Sequence, residues 1–150
     1  MPKVVFVKVP APPLEEAVCQ SVQALVEKGL KVQLHVEAGE PAKALDNLLW
    51  TFSQGAFIAH RLVSPEETPA GDPEQALLIS SLIVWPKADA LVLSSPAEIE
   101  HCMKFDLVVD FAPTFSPSLV EAARERFKSW RAKDFEPVFF EGIGWLSNKL

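Results

Sequence analysis

Four residues near the C-terminal end of the chain could grip an anion around an apolar centre. Arg124, Phe127, Lys128 and Arg131 fall at i, i+3, i+4 and i+7. On a helix that spacing puts them on one stripe roughly 100° wide. Arginine forks hold carboxylates bidentately, and a ring beside them can wall a pocket for apolar groups. The stripe therefore suits a short acidic peptide carrying aromatic side chains. A solvated face whose long cations snorkel over Phe127 would show the same periodicity. Leu119, Ala123 and Trp130 define the neighbouring face, which reads as core. Arg126 points towards it and is expected to pair internally with a carboxylate such as Asp110.

The remaining candidates for chemistry are sparse. The histidines are His35, His60 and His101, and the cysteines are Cys19 and Cys102. No Cys-x-x-Cys or His-x-x-x-His spacing is present, so no metal ligand set is expected. His101 and Cys102 are adjacent and diverge on any regular element. Cys19 reads as a small buried apolar residue. Asp106 and Asp110 share one face of a strand but would stand about 13 Å apart along it, too far for a carboxylate dyad. Asp110 reads as ending its strand at the C-terminal sheet edge, where α/β proteins often bind ligands. That leaves one enzymatic alternative, a small-ligand or nucleotide-processing enzyme using Asp110 and His60. No Gly-x-Ser-x-Gly elbow or Walker or dinucleotide fingerprint occurs. No catalytic residue and no cofactor are expected.

The elements that must position these residues alternate. Lys3–Lys8 is β-branched and aromatic and predicts a buried first strand. Pro13 suits the first turn of a helix over 13–28, with Leu14, Val18, Val22, Leu25 and Val26 at helical spacing and Gly29 as its stop. Leu30–Val36 predicts a second strand, so the chain opens with a βαβ unit and a right-handed crossover. Pro41 opens a second helix ending near Trp50. Phe57–Val63, Leu77–Trp85, Ala90–Ser94 and Asp106–Phe111 predict further strands, and 64–74 an exposed loop. Pro117 opens the last long helix, over 117–132. Phe135, Val138, Phe139 and Phe140 predict a final strand or a packed tail. The expected fold is α/β: a single three-layer α/β/α domain over 1–150 with a largely parallel twisted sheet. It is Rossmann-like without a phosphate-binding loop, because the first βα turn, Val9-Pro10-Ala11-Pro12-Pro13, has no glycine and three residues without an N–H. Gly142-Ile143-Gly144 reads as a turn.

Composition narrows the partners. The chain has 150 residues and a formal net charge of −6. Residues 119–133 hold five bases and two acids, a net +3, while the other 135 residues hold nine bases and eighteen acids, a net −9. Direct nucleic-acid binding needs phosphate neutralisation over a longer track than one helix face, although a single-strand binder using this helix is a second alternative. The two cysteines suggest a reducing compartment. The longest apolar stretch, Ala76–Trp85, is ten residues broken by two serines, against roughly 20 needed to span a membrane. The protein is expected to be soluble and cytoplasmic.

Several stretches resemble the chi subunit of bacterial DNA polymerase III. They are Leu45-Asp46-Asn47-Leu48-Leu49-Trp50, Phe57-Ile58-Ala59-His60 and Ile83-Val84-Trp85-Pro86. More distinctive are Val108-Val109-Asp110-Phe111-Ala112-Pro113 and the run Ala123–Arg131. Order and spacing agree over roughly residues 3–135. The resemblance implies a non-catalytic accessory subunit of the clamp-loader complex. Such a subunit binds the small psi subunit and, on another surface, the acidic C-terminal tail of single-stranded-DNA-binding protein. Carried over, Arg124, Lys128 and Arg131 would meet tail carboxylates, Phe127 would wall the phenylalanine pocket, and Phe57 and Ala112 would complete its lining. The psi surface is not carried over residue by residue. Three departures stand out: Phe127 replaces a frequent tyrosine, one extra residue lies between Pro113 and Leu119, and Val120 occupies a position that is basic in some members.

Overall fold

A computed structural model describes residues 2–51, 60–62, 77–80 and 88–141, with 60–62 and 77–80 as backbone. β1 (Lys3–Val9) leads into α1 (Leu14–Glu27), β2 (Val32–His35), α2 (Glu40–Thr51), β3 (His60–Leu62) and β4 (Leu77–Ser80). The second half runs β5 (Ala90–Leu93), α3 (Ile99–Cys102), β6 (Leu107–Pro113), α4 (Pro117–Ala132) and β7 (Val138–Phe140). The strands form one sheet in the order β3-β4-β2-β5-β6-β1-β7. All the pairings are parallel.

Strand alternation divides the core into two layers. Val5, Val7, Val9, Val109 and Phe111 pack under α1 and α2, against Val18, Val22, Leu25, Leu45 and Leu49. Val4, Phe6, Val108 and Ala112 point the other way, under α3 and α4, against Cys102, Ala123 and Trp130. Successive side chains of a strand face opposite sides, so a strand covered by helices on both faces must be apolar throughout. That is why β1 is apolar from Val4 to Val7 and β6 is apolar apart from the buried Asp110.

The helix ends follow local chemistry. α1 starts after Pro13 with Glu15 and Glu16 in its first turn, where the helix dipole favours carboxylates. It ends in a Schellman arrangement: Gly29, at φ 85°, donates to the Val26 carbonyl at 2.9 Å, and Leu30 donates to that of Leu25 at 3.2 Å. α4 begins at Pro117 after the extended Ser116, with Pro at a position whose N–H has no helical partner.

The observed helix 117–132 has the expected bounds, and Phe135–Phe140 resolves into both of its expected forms. Phe135 is buried against Trp130 with ring centroids 4.9 Å apart, and 138–140 form strand β7. Three expectations change. Leu119 is not core: it is 37% exposed, while Ala123 and Trp130 are buried. Asp110 does not end its strand, because parallel pairing of β6 with β1 continues to Pro113. The short helix α3 was not expected, since four residues are too few to show a period. Phe57, the loop 64–74, Trp85-Pro86 and Gly142-Ile143-Gly144 lie outside the described residues.

Candidate peptide-binding site

α4 packs across the end of β6 and presents two different flanks. On one, Arg126 reaches into the sheet. Its Nε donates to Asp110 Oδ2 at 2.8 Å and its Nη2 donates to the Phe111 carbonyl at 2.9 Å. The Phe111 N–H donates to Asp110 Oδ1 at 2.7 Å. Asp110 is almost wholly buried, and burial pushes its carboxyl above its ordinary pKa against the opposing pull of Arg126. The expected Asp110–Arg126 pair is thus present, and the carboxylate is committed to it. Desolvation of this kind offsets much of the ionic attraction, so the pair acts as a positional lock more than a net source of stability. Glu98, Glu100, Glu125, Ser129 and Lys133 rim the cleft on this flank.

On the other flank lies an apolar groove of about 240 Å³. Its sides are Phe6 from β1, Ala112 and Pro113 from the end of β6, Thr114, the α4 residues Val120, Ala123, Arg124 and Phe127, and Phe139 from β7. The Phe127 ring packs on Phe6 with centroids 5.4 Å apart and a tilt of 57°. Small Ala112 and Ala123 leave room between α4 and the sheet. Arg124 is exposed at the rim and takes part in no ion pair among the described residues.

Of the residues expected to bind a partner, Arg124, Phe127 and Ala112 share this groove. Lys128 and Arg131 are exposed on the same helix but do not line it, and Lys128 contacts Glu125 at 3.4 Å. Phe57 lies outside the described residues. Phe6 and Phe139, not expected from the sequence, reach the groove through strand pairing, and Thr114 reaches it by following Pro113 out of β6. Val120, read from the sequence as a lost cation, is here part of the apolar wall. The link from β6 to α4 is short: Thr114 donates to the Val9 carbonyl at 3.0 Å and Val120 to that of Ser116 at 3.0 Å.

Among the described elements, adjacent strands send their connections to opposite faces at β2/β5 and at β1/β6, the usual kind of ligand crevice in such sheets. Between β2 and β5 the crevice is stitched shut. Ser94 and Ser95 both donate to the His35 carbonyl at 2.9 and 3.2 Å, and Glu37 donates to Ser95 Oγ at 2.9 Å. His35 Nε2 lies 3.3 Å from the Pro96 carbonyl, and burial lowers the pKa of its ring. Beside β1, the first-turn cleft is lined by Pro10, Pro12, Pro13, Glu16 and Glu141, and Lys8 is paired with Glu141 at 3.2 Å. Carboxylates and missing N–H groups there oppose a phosphate. Cys19 and Cys102 are buried, and desolvation pushes both thiols up to about 12. Among the described residues no cluster could hold a metal ion, and no helix is long and apolar enough to cross a membrane.

The family model described as DNA polymerase III chi subunit, HolC, matches residues 1–138. The chain belongs to the DNA polymerase III chi subunit family. Among curated proteins, it is similar to DNA polymerase III subunit chi of Escherichia coli, with 29% identity over 128 residues and 81% of each chain covered. It is likewise similar to subunit chi of Pseudomonas aeruginosa, with 27% identity over 129 residues and 80% of each chain covered. Within this chi-family chain, the Asp110–Arg126 lock is formed by two neighbouring stretches, 107–113 and 117–132, and the Arg124–Phe127 groove adds Phe6, Thr114 and Phe139 to them.

Proposed function

We propose that this chain is a non-catalytic, cytoplasmic chi subunit that links the clamp-loader complex of DNA polymerase III to single-stranded-DNA-binding protein. It does so by holding that protein's acidic C-terminal tail, while another surface binds psi. The observation that carries this reading is the apolar groove beside Arg124, which has no ion pair among the described residues, on a net-positive helix of an acidic protein. Arg124 meets a tail carboxylate, Phe127 and Phe6 receive an apolar side chain, and Lys128 and Arg131 attract the acidic residues that precede it. A body charge of −9 disfavours direct contact with DNA but leaves a local cation patch effective over a screening length of about 8–10 Å. The partner protein, which does hold DNA, supplies the link to the template.

Calorimetric titration with a tail peptide tests this. Arg124→Ala should weaken binding by about 1.5–3 kcal/mol, the worth of a charge-assisted hydrogen bond. Binding should also weaken as salt rises. Equal affinity of the wild-type and Arg124→Ala proteins would sink the assignment.

A further inference from the structure

We infer that Phe139, on the edge strand β7, makes the groove selective for an aromatic rather than an aliphatic side chain of a bound acidic peptide. This rests on the peptide-binding reading above and goes beyond it by assigning selectivity to a residue outside α4.

Three observations converge on this residue. Phe139 stands opposite Phe6 in the parallel register of β7 and β1. Register partners on neighbouring parallel strands point to the same face, so both rings lie on the α4 side of the sheet, with their strands about 4.8 Å apart. Phe127 adjoins Phe6 from the helix at 5.4 Å between centroids. The groove thus carries three rings from three elements, with Phe6 as the member that both others adjoin. Their exposures differ. Phe6 is buried and Phe127 half-buried, but Phe139 is 47% exposed, an aromatic face left open to solvent beside the groove.

The chemistry of such a slot favours a ring. An aliphatic side chain entering it gains only the area it buries. An aromatic one also gains tilted or offset contacts with rings already present, about two- to tenfold in affinity for each pair. Phe127 and Phe6 provide part of this, and their own mutual contact uses some of the available ring surface. Phe139 has surface uncommitted. Arg124 at the rim lies on the same lining, so a ligand ring and a carboxylate close to it can be held together.

The test uses fluorescein-labelled Asp-Asp-Asp-Gly-Ala-X peptides, with X as Phe, Leu or Ala and a free carboxylate. Polarisation is read against the full-length wild type, Phe139→Ala, Phe139→Leu and Arg124→Ala. Wild type should prefer Phe over Leu by about tenfold. Phe139→Ala and Phe139→Leu should cut that preference to about threefold or less while changing affinity for the Leu peptide about twofold at most. Phe139→Leu keeps the bulk and loses the ring, so a folding defect in the alanine variant does not decide the matter. Arg124→Ala should weaken the Phe and Leu peptides equally. An unchanged preference in both Phe139 variants overturns the role of Phe139 and leaves peptide binding standing. Failure of wild type to bind any of the three peptides overturns the peptide reading and this inference together.

Discussion

Arg124 and Arg126 are two residues apart on α4 and have opposite fates. Arg126 is drawn into the protein, held by Asp110 and the Phe111 carbonyl, on a flank rimmed by Glu98, Glu100 and Glu125. Arg124 stands at the rim of an apolar groove with no ion pair among the described residues. Two helical residues differ by about 200° in direction, so identical side chains serve opposite flanks. One arginine fixes the helix on the sheet, and the other is the one assigned to a ligand under the proposed function. The lock also holds the groove together: Arg126 ties α4, which carries Phe127, to the stretch of β6 that runs on into Ala112 and Pro113.

The sharpest way to break this contrast is Asp110→Ala. It leaves Arg126 partly buried without its partner and should cost about 3–5 kcal/mol of stability by urea denaturation. Arg124→Ala should change stability by no more than about 0.5 kcal/mol, as expected for an exposed side chain. If the two variants unfold alike, the assignment of one arginine to structure and the other to binding fails. The reciprocal measurement is tail affinity, which Arg124→Ala should lower by about 1.5–3 kcal/mol.

A smaller effect concerns the closed crevice between β2 and β5. Burial depresses the His35 pKa below the ordinary 6.5. The folded protein therefore binds a proton there less readily than the unfolded chain. The stability this supports is complete above pH 6.5 and is lost as pH falls through the folded-state value. His35→Gln, which can still donate to the Pro96 carbonyl, should gain stability relative to wild type between pH 7 and pH 5. A urea midpoint difference that stays flat across that range would count against the buried neutral ring.

The smallest effect refines the charge pattern around the groove. Lys128 is paired with Glu125, 3.4 Å away on the same helix. Exposed pairs of this kind are weak, so Glu125→Gln should tighten an acidic peptide by about 0.5 kcal/mol, or roughly twofold. No change by calorimetry would mean that Lys128 contributes only through the long-range field.

Much of this was readable from residue order. Pro117 and the 3.6-residue period marked α4 to its ends, and the phase of Arg126 relative to Ala123 and Trp130 pointed it at Asp110. Leu119 failed because a period says which residues share a face, not how far along the helix the sheet extends beneath it. Asp110 was misplaced by three residues because Ala112 and Pro113, poor strand formers alone, are carried into the ladder by pairing with Lys8 and Val9. Phe6 and Phe139 escaped notice because they are 133 positions apart in sequence and only the β1–β7 register brings them together.

Local signals alone therefore determined the alternation of strands and helices, the apolar strands covered on both faces, the prolyl first turn and the cationic stripe on the last helix. Each depends on propensity, period or a missing N–H, all properties of a few neighbouring residues. Only the tertiary structure decided which cations stand beside apolar surface, which strand comes to lie at the edge, and that three distant phenylalanines meet in one groove. Those outcomes depend on strand order and register, which are set by the summed burial of the whole sheet rather than by any one segment.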